Sequence, residues 1–344
     1  MAAAQAAVSG RYFTRATARR SGMLPSSGYS QAPAPSETPA SSGAKTHITT
    51  RMDAKITDTK VTAGLGLVMM LVAASAFASN HLCARIAFDH GASVATAVSV
   101  RATFTALLLL MVMRVQGIRI AIPRELRGRT LIAGLFIASQ SYCLYSAVKI
   151  IPPALALLVF QTSPMLYVLL TWALGKESPR WAALAPMVLA LVGLALALNV
   201  RTGDNMLEGI AWAFASGVSM TVVYYLNANA LKSLDGRLRT FAMTAVTATV
   251  VIVVATAAGA QALPRDTLGW MGLALLAVFY CIAMMSLFFV LPRVPSTVTG
   301  ALNFEPIALL LLTWVFLGHT VTPLQLVGAL VTVGAIVWLG VSKR

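Results

Sequence analysis

The chain has 344 residues, 58% of them hydrophobic and only 11% charged, with a mean hydropathy of +0.78. A soluble domain carries about 25% charge, so an ordinary soluble globular protein is excluded and a polytopic membrane protein is indicated. The net charge of +15 does not point to nucleic acid. The basic residues gather in an N-terminal tail and in short connections, as membrane topology requires, and no aromatic-interleaved basic patch lies outside the tail.

Residues 1–60 differ from everything after them. They are rich in Ala, Ser, Thr and Pro, with Arg11, Arg15, Arg19 and Arg20 but only Glu37 as an acid before Asp53. No apolar h-region of a secretory signal is present. A disordered tail without a transport role is expected. Two alternatives stay open: an organellar transit segment, or upstream sequence with Met52 as the true start.

From Val61 onward the hydropathy divides into ten stretches of about 20 residues, the length that a hydrocarbon core of about 30 Å demands. They cover roughly 62–84, 93–114, 130–149, 152–174, 181–199, 208–230, 239–260, 267–291, 295–317 and 322–341. A basic loop, Arg119 to Arg129, follows the second stretch, and a polar link at 201–207 follows the fifth. Domain boundaries follow: tail 1–60, a first five-helix repeat 61–200, linker 201–207 and a second repeat 208–344. Connections after the even stretches, with the C-terminus, carry thirteen Lys and Arg; the opposite connections carry only Arg85, Lys149, Arg201 and Arg265. That asymmetry places both termini in the cytoplasm.

The halves repeat. Pro153, Pro164, Thr171 and Trp172 recur as Pro295, Pro306, Thr313 and Trp314, a constant offset of 142. Five is odd, so the second repeat enters the membrane from the other side. The expected fold is all-α, with ten transmembrane helices built as two inverted five-helix repeats related by an axis in the membrane plane, an arrangement suited to alternating access.

Each repeat carries a polar-proline stretch in mid-run: Gln161-Thr162-Ser163-Pro164 and Asn303-Phe304-Glu305-Pro306. Proline lacks an N–H and frees a carbonyl at membrane depth, so Pro164 and Pro306 are expected as helix breaks. A carboxylate at that depth costs at least about 2.5 kcal/mol. Glu305 is therefore the first candidate for substrate contact or proton coupling, since desolvation favours its protonated form. A structural carboxyl locking helices is the alternative. Arg101 sits about 12 Å into the second stretch at 1.5 Å per residue, near the midplane. It is suited to an anionic group of the substrate, to snorkelling toward an interface, or to pairing with Glu305. Gln161 and Asn303 align at the same offset and could line a substrate cavity from both repeats. Asn80, Gln140 and Tyr142 are further cavity candidates, along with His81 and Tyr145; Tyr142 and Tyr145 are i, i+3 neighbours on one helical face. Interhelical packing is the competing role for each. Trp172 and Trp314 read as interfacial belt residues, and Lys149 as an anchor at a helix end.

The ordered set Ala78-Ser79-Asn80, Val100-Arg101-Ala102, Tyr145 to Ile150, Thr162-Ser163-Pro164, Glu305-Pro306, Leu317-Gly318 and Gly328 to Gly334 resembles the drug/metabolite transporter superfamily, specifically its ten-span EamA-type branch. The resemblance covers about 61–341. It implies a carrier, often an exporter of amino acids or other small metabolites, with a central cavity between the repeats. Three positions depart from the family pattern. His319 follows Gly318 in place of the usual glutamate, Glu177 stands behind Lys176, and Phe77-Ala78 replaces Trp-Gly.

The expected function is secondary active transport of a small polar, amino-acid-like metabolite, outward and proton-coupled through Glu305. Expected partners are the small-molecule substrate, the lipid bilayer and a proton, with no nucleic acid; monomer and homodimer both remain open. No cofactor or metal is expected: the four histidines are scattered, and Cys83, Cys143 and Cys281 lie singly in apolar runs. No His-Glu-x-x-His, Gly-x-Ser-x-Gly or Walker A segment is present, which disfavours an intramembrane enzyme. A channel and a non-transporting scaffold or sensor are the other rivals. The expected location is a bacterial inner (plasma) membrane, or an organellar membrane if residues 1–51 are a transit segment.

Overall fold

The computed structural model describes residues 63–175, 181–198, 206–290, 299–318 and 322–342. The tail, most of the 201–207 linker, Pro295, Glu177 and His319 lie outside them. Among the described residues all regular structure is helical. The helices are α1 (Ala63–Asp89), α2 (Val94–Val115), α3 (Arg124–Ile150), α4 (Pro153–Phe160), α5 (Ser163–Ala173) and α6 (Trp181–Leu198). After the linker come α7 (Met206–Asn229), α8 (Gly236–Ala257), α9 (Thr267–Val290), a 3₁₀ turn (Thr299–Phe304), α10 (Glu305–Leu317) and α11 (Pro323–Ser342). Among the described residues seven spans are long and apolar enough to cross a membrane, with α4 and α5 together forming one of them. Shorter apolar stretches occupy 185–194, 301–317 and 323–338.

Two helix starts differ from the hydropathy reading, each for a local reason. The helix expected from 130 begins at Arg124, directly after Pro123, whose carbonyl accepts from Leu126 N–H at 2.9 Å. The basic segment thus supplies a polar first turn that hydropathy cannot register. The helix expected from 239 begins at Gly236, because the Asp235 side chain accepts from the N–H groups of Arg237 and Leu238 at 2.8 and 3.4 Å. This is an N-cap, which satisfies donors left open at a helix start.

Contacts at the helix ends define two mouths. At one, Arg265 N–H donates to His90 O, Ser93 N–H donates to Ala262 O, and Arg85 Nη1 donates to Val148 O and Lys149 O. This mouth gathers the ends of α1, α3 and α8 and the starts of α2 and α9. Gly209, near the start of α7, packs against Ile151 there. At the other mouth Arg237 Nη1 reaches Gln116 Oε1 at 2.8 Å, and Met113, Leu234 and Leu238 cluster with Ile118, Ile122 and Leu126. So α1 ends where α7 begins, α2 begins where α8 ends, and α3 ends where α9 begins. Corresponding helices of the two halves run antiparallel.

The packing follows that relation. α1 lies along α9 and α3 along α7, while α2 pairs with α8 and α6 with α11. The main core is built from small and branched residues of α1 to α4, joined by Leu309 and Leu310 of α10. Glycine permits the closest approaches. A Cβ at Gly193 of α6 would stand 2.6 Å from Thr332 N on α11, closer than side-chain atoms can pack.

Candidate functional site

Glu305 is the first residue of α10 and Pro306 the second. Both suit that place: the helix N-terminus favours a carboxylate, and proline needs no N–H there. The preceding 3₁₀ turn, ending at Phe304 with φ −70° and ψ −14°, keeps the backbone tight. Pro164 likewise stands second in α5, after Gln161 at φ −66° and Thr162 at φ −67°. Both prolines therefore begin new helices after a tightened turn, and neither unwinds a long segment.

Glu305 is buried, and its Oε1 lies 3.5 Å from Nε2 of His81 on α1. Among the described residues this contact joins the two halves in the interior. At that length it is a contact that a shift of either helix strengthens or breaks. His81 Nδ1 and Asn303 Oδ1 are buried without hydrogen-bond partners.

Arg101 does not pair with Glu305, which corrects one of the three sequence expectations for it. Its guanidinium lies over two tyrosine rings, 4.7 Å from the centre of Tyr145 and 4.1 Å from that of Tyr280. Nη2 donates to Ser141 Oγ at 2.7 Å and Nη1 to Tyr145 Oη at 3.3 Å, while Nε has no acceptor. A lone arginine at membrane depth costs about 2.5–3.5 kcal/mol on insertion scales, and a desolvated cation–π contact returns about 2 kcal/mol. The two rings make the charge tolerable but leave it un-neutralised. Tyr145 is the hub: its hydroxyl donates to Asn80 Oδ1 at 2.8 Å and accepts from Asn80 Nδ2, and its ring meets His81 edge-on at 5.8 Å.

A polar ladder leads from Arg101 to the first break. Ser141 Oγ donates to Gln140 Oε1 and Gln140 Nε2 donates to Ser216 Oγ, both at 3.3 Å; Ser216 in turn donates to Gln140 O. One residue on, Gly217 brings α7 against the first break. A Cβ there would meet Thr162 Oγ1 at 3.3 Å and Phe160 O at 3.5 Å. Thr221 Oγ1 donates to Ser163 O at 3.2 Å.

The sequence candidates thus divide. Glu305, Arg101 and Asn80 are buried together with His81 and Tyr145, and half-buried Gln140 joins them through Ser141. Gln161 and Asn303 are buried at the two breaks. Tyr142 is separated from Tyr145: it is 39% exposed and packs edge-on against Trp212, because three residues along a helix advance the side chain by about 60° short of a full turn. That arc takes position 142 across the edge of the buried face. Trp172 and Trp314 are exposed on the outer surface. Among the described residues no three His, Cys, Asp or Glu side chains group to hold a metal ion. Tyr280 and Ser141, as partners of Arg101, were not legible in the sequence, since nothing in a continuous apolar run marks which tyrosine or serine turns inward.

The arrangement agrees with comparisons to known proteins. No curated protein matches the chain. A solved crystal structure of a protein aligns over 81% of this chain and 99% of its own, with a TM-score of 0.59 and 18% identity, a likeness of fold alone. The model of the EamA-like transporter family matches residues 64–199 and again 207–341. Each match takes in one of the two antiparallel halves, and the chain belongs to the EamA-like transporter family.

Proposed function

We propose that the protein is a secondary carrier of a small polar metabolite, working by alternating access and coupled to protons through Glu305. The observation that carries this is the Glu305–His81 contact. His81 belongs to the first family match and Glu305 to the second, so the pair bridges the two bodies whose relative movement alternating access requires. Protonation changes the charge of that bridge and thus the relative energy of the arrangements it joins. In this reading the seven long spans and the three shorter apolar stretches make ten crossings, five per repeat, related by an axis in the membrane plane. The mouth of the Arg114–Arg129 and Lys232–Arg239 segments is rich in basic residues, which supports a cytoplasmic placement there and for both termini. The family resemblance supports export and a plasma-membrane location.

Counterflow in proteoliposomes tests the reading, using a radiolabelled panel of amino acids, purines, sugars and organic cations. A carrier accelerates exchange against an internal load and saturates. A channel gives no counterflow, and a scaffold or sensor gives no flux. Proton coupling predicts that a pH gradient drives accumulation in the wild type and that Glu305→Gln exchanges cargo without responding to the gradient. Full gradient response in Glu305→Gln rejects coupling through that residue.

A further inference from the structure

Beside the Glu305–His81 contact the interior holds a guanidinium, which has no counter-charge among the described residues. Arg101 is 6% exposed and makes no ion pair. Two of a guanidinium's five N–H donors are used, both on neutral hydroxyls, and Nε has none to meet. The contrast with Arg239, the other buried arginine among the described residues, is instructive. Arg239 Nη1 donates to the carbonyls of Leu231 and Asn227 at 3.1 and 3.5 Å, where the negative end of the α7 dipole offsets its charge. Arg101 sits in mid-helix with no helix end to cap.

We infer that Arg101 is an anion-recognition residue, and that the cargo carries a carboxylate which the unpaired Nε side of its guanidinium receives. This rests on the carrier reading above and narrows its substrate class. The two tyrosine rings hold the cation in place without cancelling its charge, so its attraction for an incoming anion is retained. Ser141 fixes the fork by its 2.7 Å hydrogen bond to Nη2, and Gln140 fixes Ser141 in turn. A planar fork with adjacent free N–H groups matches a carboxylate in a bidentate manner, which an ammonium cannot reproduce. The fixed positive charge also disfavours cargo whose only charge is cationic. Glu305 does not serve as the missing anion, because it contacts His81 instead.

The test uses the full-length protein in nanodiscs and reads thermal unfolding rather than flux, so it is separate from the counterflow experiment. The probes are matched acids and primary amides (propionate and propionamide, lactate and lactamide, alanine and alaninamide) together with inorganic phosphate. At least one carboxylate is expected to raise the wild-type melting temperature saturably, by about 5 °C at a hundredfold excess over its dissociation constant, and its amide to do so far less. Arg101→Lys, which keeps the charge and loses the fork, should weaken the acid at least tenfold; Arg101→Gln should abolish the acid-over-amide preference. Ser141→Ala, which removes only the contact that fixes the fork, gives a milder variant should Arg101→Gln not fold, and should weaken the acid severalfold with the amide unchanged. The inference is overturned if no acid is preferred to its amide in the wild type, if phosphate alone binds, or if Arg101→Lys binds the acid as the wild type does. Counterflow of a neutral cargo with no acid preference would overturn it while leaving the carrier reading intact.

Discussion

Two contacts occupy matching places in the two halves and differ in chemistry. His81 lies on α1, the first helix of the first half, and Tyr224 on α7, the first helix of the second. Glu305 and Ser163 are equivalent at the offset of 142 (305 − 163). On one side α1 presents His81 to Glu305 at 3.5 Å. On the other α7 sets Thr221 against the break, its hydroxyl donating to Ser163 O at 3.2 Å, while Tyr224 Oη and Ser163 Oγ are buried without hydrogen-bond partners. Each break thus rests on the first helix of the opposite repeat. The scaffold repeats this contact, and only one copy can change charge. At one mouth Arg85 ties α1 to the carbonyl end of α3.

The sharpest way to break the comparison is to neutralise the charged copy. Glu305→Gln should lower pH-driven uptake in proteoliposomes at least tenfold, while Ser163→Ala should change it less than twofold. Equal losses would mean that contact shape, not charge, is what both copies contribute.

The next effect concerns close approach. Gly193→Ala puts a Cβ 2.6 Å from backbone nitrogen of Thr332, and backbone cannot rotate aside as a side chain can. A cost of about 1–3 kcal/mol is expected from overpacking, read as a lower melting temperature. Gly217→Ala meets its nearest neighbour at 3.3 Å. There the gain of about 0.5–1 kcal/mol from replacing a helical glycine should cancel most of the crowding. A larger loss at Gly217 than at Gly193 would show that the first break is the more rigid contact.

Arg85→Ala tests the mouths. Losing its bonds to Val148 O and Lys149 O should cost about 1 kcal/mol and raise the labelling rate of a cysteine placed at Phe88 severalfold. No change in labelling would show that Arg85 decorates the mouth without closing it.

The smallest effect is at the opposite mouth. Asp235→Ala should cost about 1 kcal/mol as a lost N-cap. Partial burial tends to raise the Asp235 carboxyl, but the hydrogen bonds and charge of Arg237 prevail and hold it below its ordinary value of 3.8. A depressed folded value contributes stability above the unfolded one and loses it as the pH falls through the folded value. The difference between wild type and Asp235→Ala should therefore be full at neutral pH and shrink only in strong acid. Solvent screening at this half-exposed site limits the charge contribution to a few tenths of a kcal/mol.

Much of this was legible in the residues. Hydropathy located the apolar helices to within a few residues, and failed where a cap or a proline outweighed it, at Asp235 and Pro123. The constant offset revealed the repeat, and the expense of a carboxylate in an apolar run singled out Glu305. Its partner was not singled out: pairing with Arg101 was one of the alternatives, and the structure sets His81 there. Arg101 has the opposite charge and a similar depth, yet depth along one helix says nothing of which neighbour the side chain faces. His81 and Tyr145 had looked no more telling than other polar residues, and Tyr142 was grouped with Tyr145 by a spacing that straddles the edge of a buried face.

The sequence by itself determined that the chain is a membrane protein of two related halves, with one costly acid and one costly base inside, because length, hydropathy and desolvation act on each segment separately. Only the tertiary structure decided that the acid meets histidine and the base meets tyrosines. Partner choice depends on how the antiparallel halves cross, and that crossing is set by small residues and helix ends far from the charges themselves.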